Sequence, residues 1–152
     1  CDKPWRLPAS CREGGLQKLA LLLFALILVE GVLGSQVREK TDALKDTHEY
    51  APRSEWVGEL EQSVTYLIHR SGSWAILVVA GMFYMRCKKN RTGAVKLECL
   101  VFGIVLSQMF LGLILSQVGI LPIAQVLHIG LSSILVSALL LWLLGSRQDK
   151  LA

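Results

Sequence analysis

The sequence predicts an all-α integral membrane protein, a four-helix up-down-up-down bundle, and three observations carry that reading. Hydrophobic residues fill 53% of only 152 positions, more than one small soluble core can hide. They gather into four apolar runs, residues 16–35, 64–85, 97–117 and 122–144, each near or beyond the ~20 residues that a bilayer-crossing helix needs. Basic residues concentrate in alternate connecting segments, the pattern of a chain that crosses a membrane repeatedly.

The first run follows a basic stretch containing Pro4 and Pro8, and it lacks the short hydrophobic region and small-residue cleavage site of a signal peptide. It therefore reads as a span. Residues 1–15 read as a cytoplasmic linker from earlier helices, and a chain opening on Cys1 as part of a longer one. A long polar loop, residues 36–62, leads to the second run, which carries His69. A basic turn with Arg86, Lys88, Lys89, Arg91 and Lys96 leads to the third run. A short turn, residues 117–121, leads to the fourth run, which carries His128. The domain thus covers residues 16–145, with a cytoplasmic tail over 146–152.

Charge sets the orientation. Lys3, Arg6, Arg12 and Lys18 before the first span, the basic middle turn, and Arg147 and Lys150 in the tail lie on one side. In the long loop Arg38, Lys40, Lys45 and Arg53 are outnumbered by Glu39, Asp42, Asp46, Glu49, Glu55, Glu59 and Glu61. Short cytoplasmic segments carry the basic excess, so both ends face the cytoplasm and the long loop faces outward. The net charge of +4 then reflects topology, and nucleic acid, which needs a basic groove or stripe outside the bilayer, is not expected as a partner. Cys1, Cys11, Cys87 and Cys99 fall on or near the reducing side without a C-x-x-C pair and read as inert thiols.

A faint internal repeat relates the two halves. EGVLGSQV (residues 30–37) aligns with LGLILSQV (111–118), pairing Gly31 with Gly112 and Ser35 with Ser116, and each copy is followed by a helix bearing one histidine. At 1.5 Å per residue, His69 lies about 10 Å inward from Gln62 and His128 about 9 Å inward from Pro122. The two imidazoles are level. Alternate helices of such a bundle stand on a diagonal, so the pair can clamp a six-coordinate haem from both faces, with Gly72, Gly130 and Ser132 making room. Two other readings stand beside this one. Each histidine can simply bond a neighbouring helix, or bind zinc, although no further ligand stands at i+3 or i+4.

Glu30 is the only carboxylate deep in a span, at about the same depth as the histidines. It can serve a proton route, bond a histidine or a porphyrin edge, or bond a neighbouring helix. Arg38 and Arg70 can reach the surface to pair with haem propionates, or snorkel to lipid headgroups. His48 reads as solvated.

GVLGSQVRE after a hydrophobic helix, LIHRSG after a polar outer loop, and SQMFLGLIL followed by VLHIG together resemble the haem A synthase family, across roughly residues 19–144. The resemblance implies an oxidoreductase that oxidises the C8 methyl of haem O to a formyl group, supplying haem A to terminal oxidases. It implies two similar four-helix halves related by a pseudo-twofold axis, eight helices in all, with His69 and His128 as the iron ligands of one half. In the family's first half a glutamate stands one turn before the first histidine, and many members carry a cysteine pair in that half's outer loop. Here Tyr66 occupies the first position and the loop has no cysteine. The resemblance therefore points to the C-terminal half, binding haem b, with the reactive site in the other half. The implied partners are the N-terminal half or a second copy, haem O and haem A, membrane lipid, and a haem O synthase or electron carrier. The implied location is the bacterial cytoplasmic membrane rather than the mitochondrial inner membrane. The competing function is a cytochrome b-type anchor passing electrons between quinone and a redox partner, and a helical scaffold is a third possibility.

Overall fold

The computed structural model describes residues 14–90, 95–118 and 121–147, and every described element is helical. In chain order these are α1 (Gly14–Thr47), α2 (Arg53–Glu61), α3 (Val64–Lys89), α4 (Val95–Gln117) and α5 (Pro122–Arg147). The linker expected over residues 1–15 and the tail expected over 146–152 lie largely outside the described residues, as do Cys1 and Cys11.

Among the described residues three helices, α1, α4 and α5, are long and apolar enough to cross a membrane. Four spans were expected. The second apolar run does form a single helix, α3, of 26 residues, but His69, Arg70, Ser71 and Ser73 near its start lower its mean hydropathy.

The long outer loop expected over residues 36–62 is mostly helix. α1 continues to Thr47 for a total of 34 residues, about 51 Å of helix against about 30 Å of hydrocarbon. Hydropathy ends near Ser35, but helix propensity does not. Glu39, Lys40, Ala43, Leu44 and Lys45 are good helix formers, and Arg38 pairs with Asp42 one turn on, at 3.4 Å. α2 then leads into α3 through Ser63, whose hydroxyl accepts from the Tyr66 amide at 3.3 Å and donates to Leu60 O at 2.7 Å. This N-cap fixes where α3 begins. Pro122 opens α5, where its missing N–H costs nothing.

α1 packs on α3, α3 on α4, α4 on α5 and α5 on α1, a ring that puts α3 and α5 across a diagonal. Neighbours run in opposite directions. Glu30 and Gly34 of α1 meet Ser73 and His69 of α3, and Glu98 and Gln108 of α4 meet Trp142 and Ser132 of α5. Gln17 near the start of α1 donates to Ser146 O near the end of α5 at 2.9 Å.

The core occupies one end of this ring. Leu23, Phe83, Val101, Leu139 and Trp142 are completely buried there. Phe83 and Trp142 meet edge to face at 5.0 Å, and Trp142 Nε1 donates to the buried Glu98 at 3.2 Å. Toward the other end the packing loosens across a belt before Trp56, Leu60, Tyr66 and Ala124 are buried again near α2. No residue is buried in α1 after Ile27, in α3 between Tyr66 and Ile76, in α4 after Val105, or in α5 between Ala124 and Leu135.

Candidate functional site

His69 and His128 both fall inside that unpacked belt. Each is built by its own helix pair, and the two constructions share a plan. In α3, Ser73 stands one turn after His69 and its hydroxyl lies 2.9 Å from His69 O. In α5, Ser132 stands one turn after His128 and its hydroxyl donates to His128 O, again at 2.9 Å. A glycine on the partner helix faces each imidazole. A Cβ on Gly34 would come within 3.3 Å of His69 Cε1, and one on Gly112 within 3.9 Å of His128 Cε1.

One turn below each glycine a polar side chain reaches across to the serine. Glu30 Oε1 accepts from Ser73 Oγ at 2.5 Å; Gln108 Nε2 donates to Ser132 Oγ and to His128 O, both at 2.7 Å. The repeat legible in the sequence is therefore real in three dimensions but in a different register. Space pairs Glu30 with Gln108 and Gly34 with Gly112, nearly one helical turn from the alignment that paired Gly31 with Gly112. The cause is physical: SQV matches SQV by letter, whereas packing matches the positions that face a histidine.

The two constructions differ in charge. Glu30 Oε1 lies 3.0 Å from His69 Nδ1, a close electrostatic contact, though the ring N–H does not point along it closely enough to form a hydrogen bond. His128 Nδ1 is buried with no hydrogen-bond partner, and so is Gln108 Oε1. The two histidines and Glu30 are within electrostatic reach of one another. Among the described residues, no group of three or more His, Cys, Asp or Glu comes together as a metal-binding cluster.

The small residues expected to make room do other work. Gly72 faces Glu30, and a Cβ there would stand 2.5 Å from Glu30 Oε2. Gly130 is exposed with nothing near its Cβ direction. Room beside the imidazoles comes instead from Gly34 and Gly112, on the neighbouring helices. Tyr66 is buried one turn before His69.

The arginines separate from the histidines. Arg70 is exposed, and Arg38 pairs with Asp42. Arg38 also lines a groove of about 480 Å³ with Lys45, His48, Arg53, Trp56 and Gln125, at the end of the ring where α2 lies. His48 is not freely solvated, since its Nδ1 lies 3.0 Å from Leu44 O. Sequence reasoning passed over Arg53, whose Nη2 donates to Leu115 O and Ser116 O at 3.1 and 3.0 Å and so caps the end of α4. It also passed over Gln108, although a lone amide deep in an apolar run is itself a signal.

The fold and site define a helical membrane protein with a polar, histidine-bearing belt set between apolar helices. The chain belongs to the COX15-CtaA family of cytochrome oxidase assembly proteins, the haem A synthase family, whose model matches residues 2–140. Its role accordingly lies in cytochrome oxidase assembly and haem A synthesis, a setting consistent with an oxidoreductase. No curated protein and no solved structure matches the chain.

Proposed function

We propose that this chain is the haem b-binding, C-terminal half of a haem A synthase, a four-helix up-down bundle that pairs with a similar half about a pseudo-twofold axis. One observation carries the reading: the belt without buried side chains crosses all four long helices at the level of both histidines. Interiors are otherwise close-packed, so a loosely packed level flanked by two imidazoles suits a flat, largely apolar ligand. The residues fit haem. The donors are two neutral-capable imidazoles on diagonal helices, each set against a glycine backbone.

His69 and His128 would hold the iron. Bound there, the haem supplies a one-electron acceptor for the family's oxidation of haem O. The Ser132 bond to His128 O stiffens the backbone turn under that ring, and the Ser73 hydroxyl ties the turn under His69 to Glu30. The packed end of the ring excludes water from below. Arg38, beside the groove, and the exposed Arg70 supply guanidinium groups for propionates at the rim. Tyr66, in the place of the family's glutamate, has no carboxylate with which to serve the oxidation, so the isolated chain binds haem b without converting haem O. The basic segments face the cytoplasm of a bacterial cell and α2 lies on the outer face.

Purification with haem, followed by absorption spectroscopy and mass spectrometry of the extracted porphyrin, tests this. The expected result is a low-spin haem b spectrum lost in both His69→Ala and His128→Ala. An unchanged spectrum in both variants would overturn the ligand assignment, and formation of haem A by the chain alone would overturn the assignment of the half.

A further inference from the structure

The two halves of the histidine site follow one plan but end on different groups, a carboxylate in one and a carboxamide in the other. We propose that this single difference makes the histidines unequal, with Glu30 acting through His69 to hold the bound haem toward its oxidised form. The inference rests on the haem reading above and goes beyond it by giving the two ligands different roles.

Glu30 and Gln108 occupy equivalent places, each bonded to the serine one turn after a histidine. What each does to its histidine differs. Gln108 turns its NH2 group to His128 O and Ser132 Oγ and brings no charge to the His128 ring, while Nδ1 lacks a hydrogen-bond partner in both histidines. Glu30 accepts from the Ser73 hydroxyl and sets the same oxygen 3.0 Å from His69 Nδ1. Its second oxygen lies over Gly72, where even a methyl group would collide with it. That glycine keeps open the space in which the carboxylate stands.

A carboxylate charge 3.0 Å from one nitrogen of the His69 ring polarises that ring through space and makes its other nitrogen a stronger donor to a metal, without a ring N–H bonded to it. A negative charge in a poorly screened site also favours whichever redox state of a neighbour carries more positive charge. For a haem held between two neutral imidazoles that state is the ferric one, and both effects lower the midpoint potential. Gln108 supplies neither effect to His128. Glu30 is thus a positioning residue for His69, and its signature is a potential.

Redox titration at one fixed pH of the purified, haem-loaded protein tests the proposal with two nearly isosteric exchanges. Glu30→Gln is expected to keep the low-spin spectrum and raise the midpoint potential; Gln108→Glu is expected to lower it. If Glu30→Gln retains its haem with an unchanged potential, the proposal is overturned. If that variant loses haem, Gln108→Glu decides: a lowered potential supports the proposal and an unchanged one overturns it. Should the unaltered protein show no low-spin haem, the haem reading itself fails, an outcome distinct from an unresponsive potential.

Discussion

The contact between Gly72 and Glu30 shows how narrowly one side chain is placed. A Cβ at residue 72 would stand 2.5 Å from Glu30 Oε2, and Glu30 presents there the mobile end of its side chain. Gly72→Ala is therefore expected to swing the carboxylate aside while leaving the helices in place, and redox titration should show the same upward shift as Glu30→Gln. Gly34 and Gly112 make a graded pair. The approach to His69 is 3.3 Å and that to His128 is 3.9 Å, so Gly34→Val should reduce haem content per protein severalfold and more than Gly112→Val, measured by absorbance. The histidines and Glu30 were legible in the sequence because titratable side chains stand out within apolar runs. Gln108, Gly34 and Gly112 were not. Which amide reaches across, and which glycine faces a ring, depends on helix rotation, which a pattern of letters does not specify.

At the scale of helices, the apolar runs marked α3, α4 and α5 to within about a turn, and the start of α1 likewise, because apolar length is a direct demand of the bilayer. Chain beyond the bilayer was misread as loop. Residues 36–47 follow no hydrophobic stripe, yet they extend α1 because a helix already begun lengthens easily through good formers. Two contacts govern how the added helices join. Ser63 caps α3 through the Tyr66 amide, so Ser63→Ala should cost about 1 kcal/mol of stability, read from unfolding in detergent. Arg53 binds two terminal carbonyls of α4. Arg53→Ala should cost about 1–2 kcal/mol and, by hydrogen exchange, loosen the last turn of α4 specifically.

Across the whole molecule, stability and chemistry occupy opposite ends. Leu139 is completely buried in the packed end, whereas Leu127 in the belt is half exposed. Leu139→Ala should therefore destabilise by about 2–5 kcal/mol through the cavity it leaves, while Leu127→Ala should change little, in the same unfolding measurement. The sequence could not reveal this division, since leucines at both ends of α5 look alike until it is known which ones meet a partner. It also makes the protein a one-sided vessel. Phe83, Trp142, Leu23 and Leu139 plug the cross-section at one end, whereas at the other the burial is lighter and centres on Trp56, Leu60 and Tyr66, where α2 meets α1 and α3. A water-soluble reductant would therefore reach a haem at the level of Glu30 more readily from the side on which α2 lies than through the plugged end, so the sidedness of haem reduction in sealed vesicles would report directly on which way the molecule sits in its membrane.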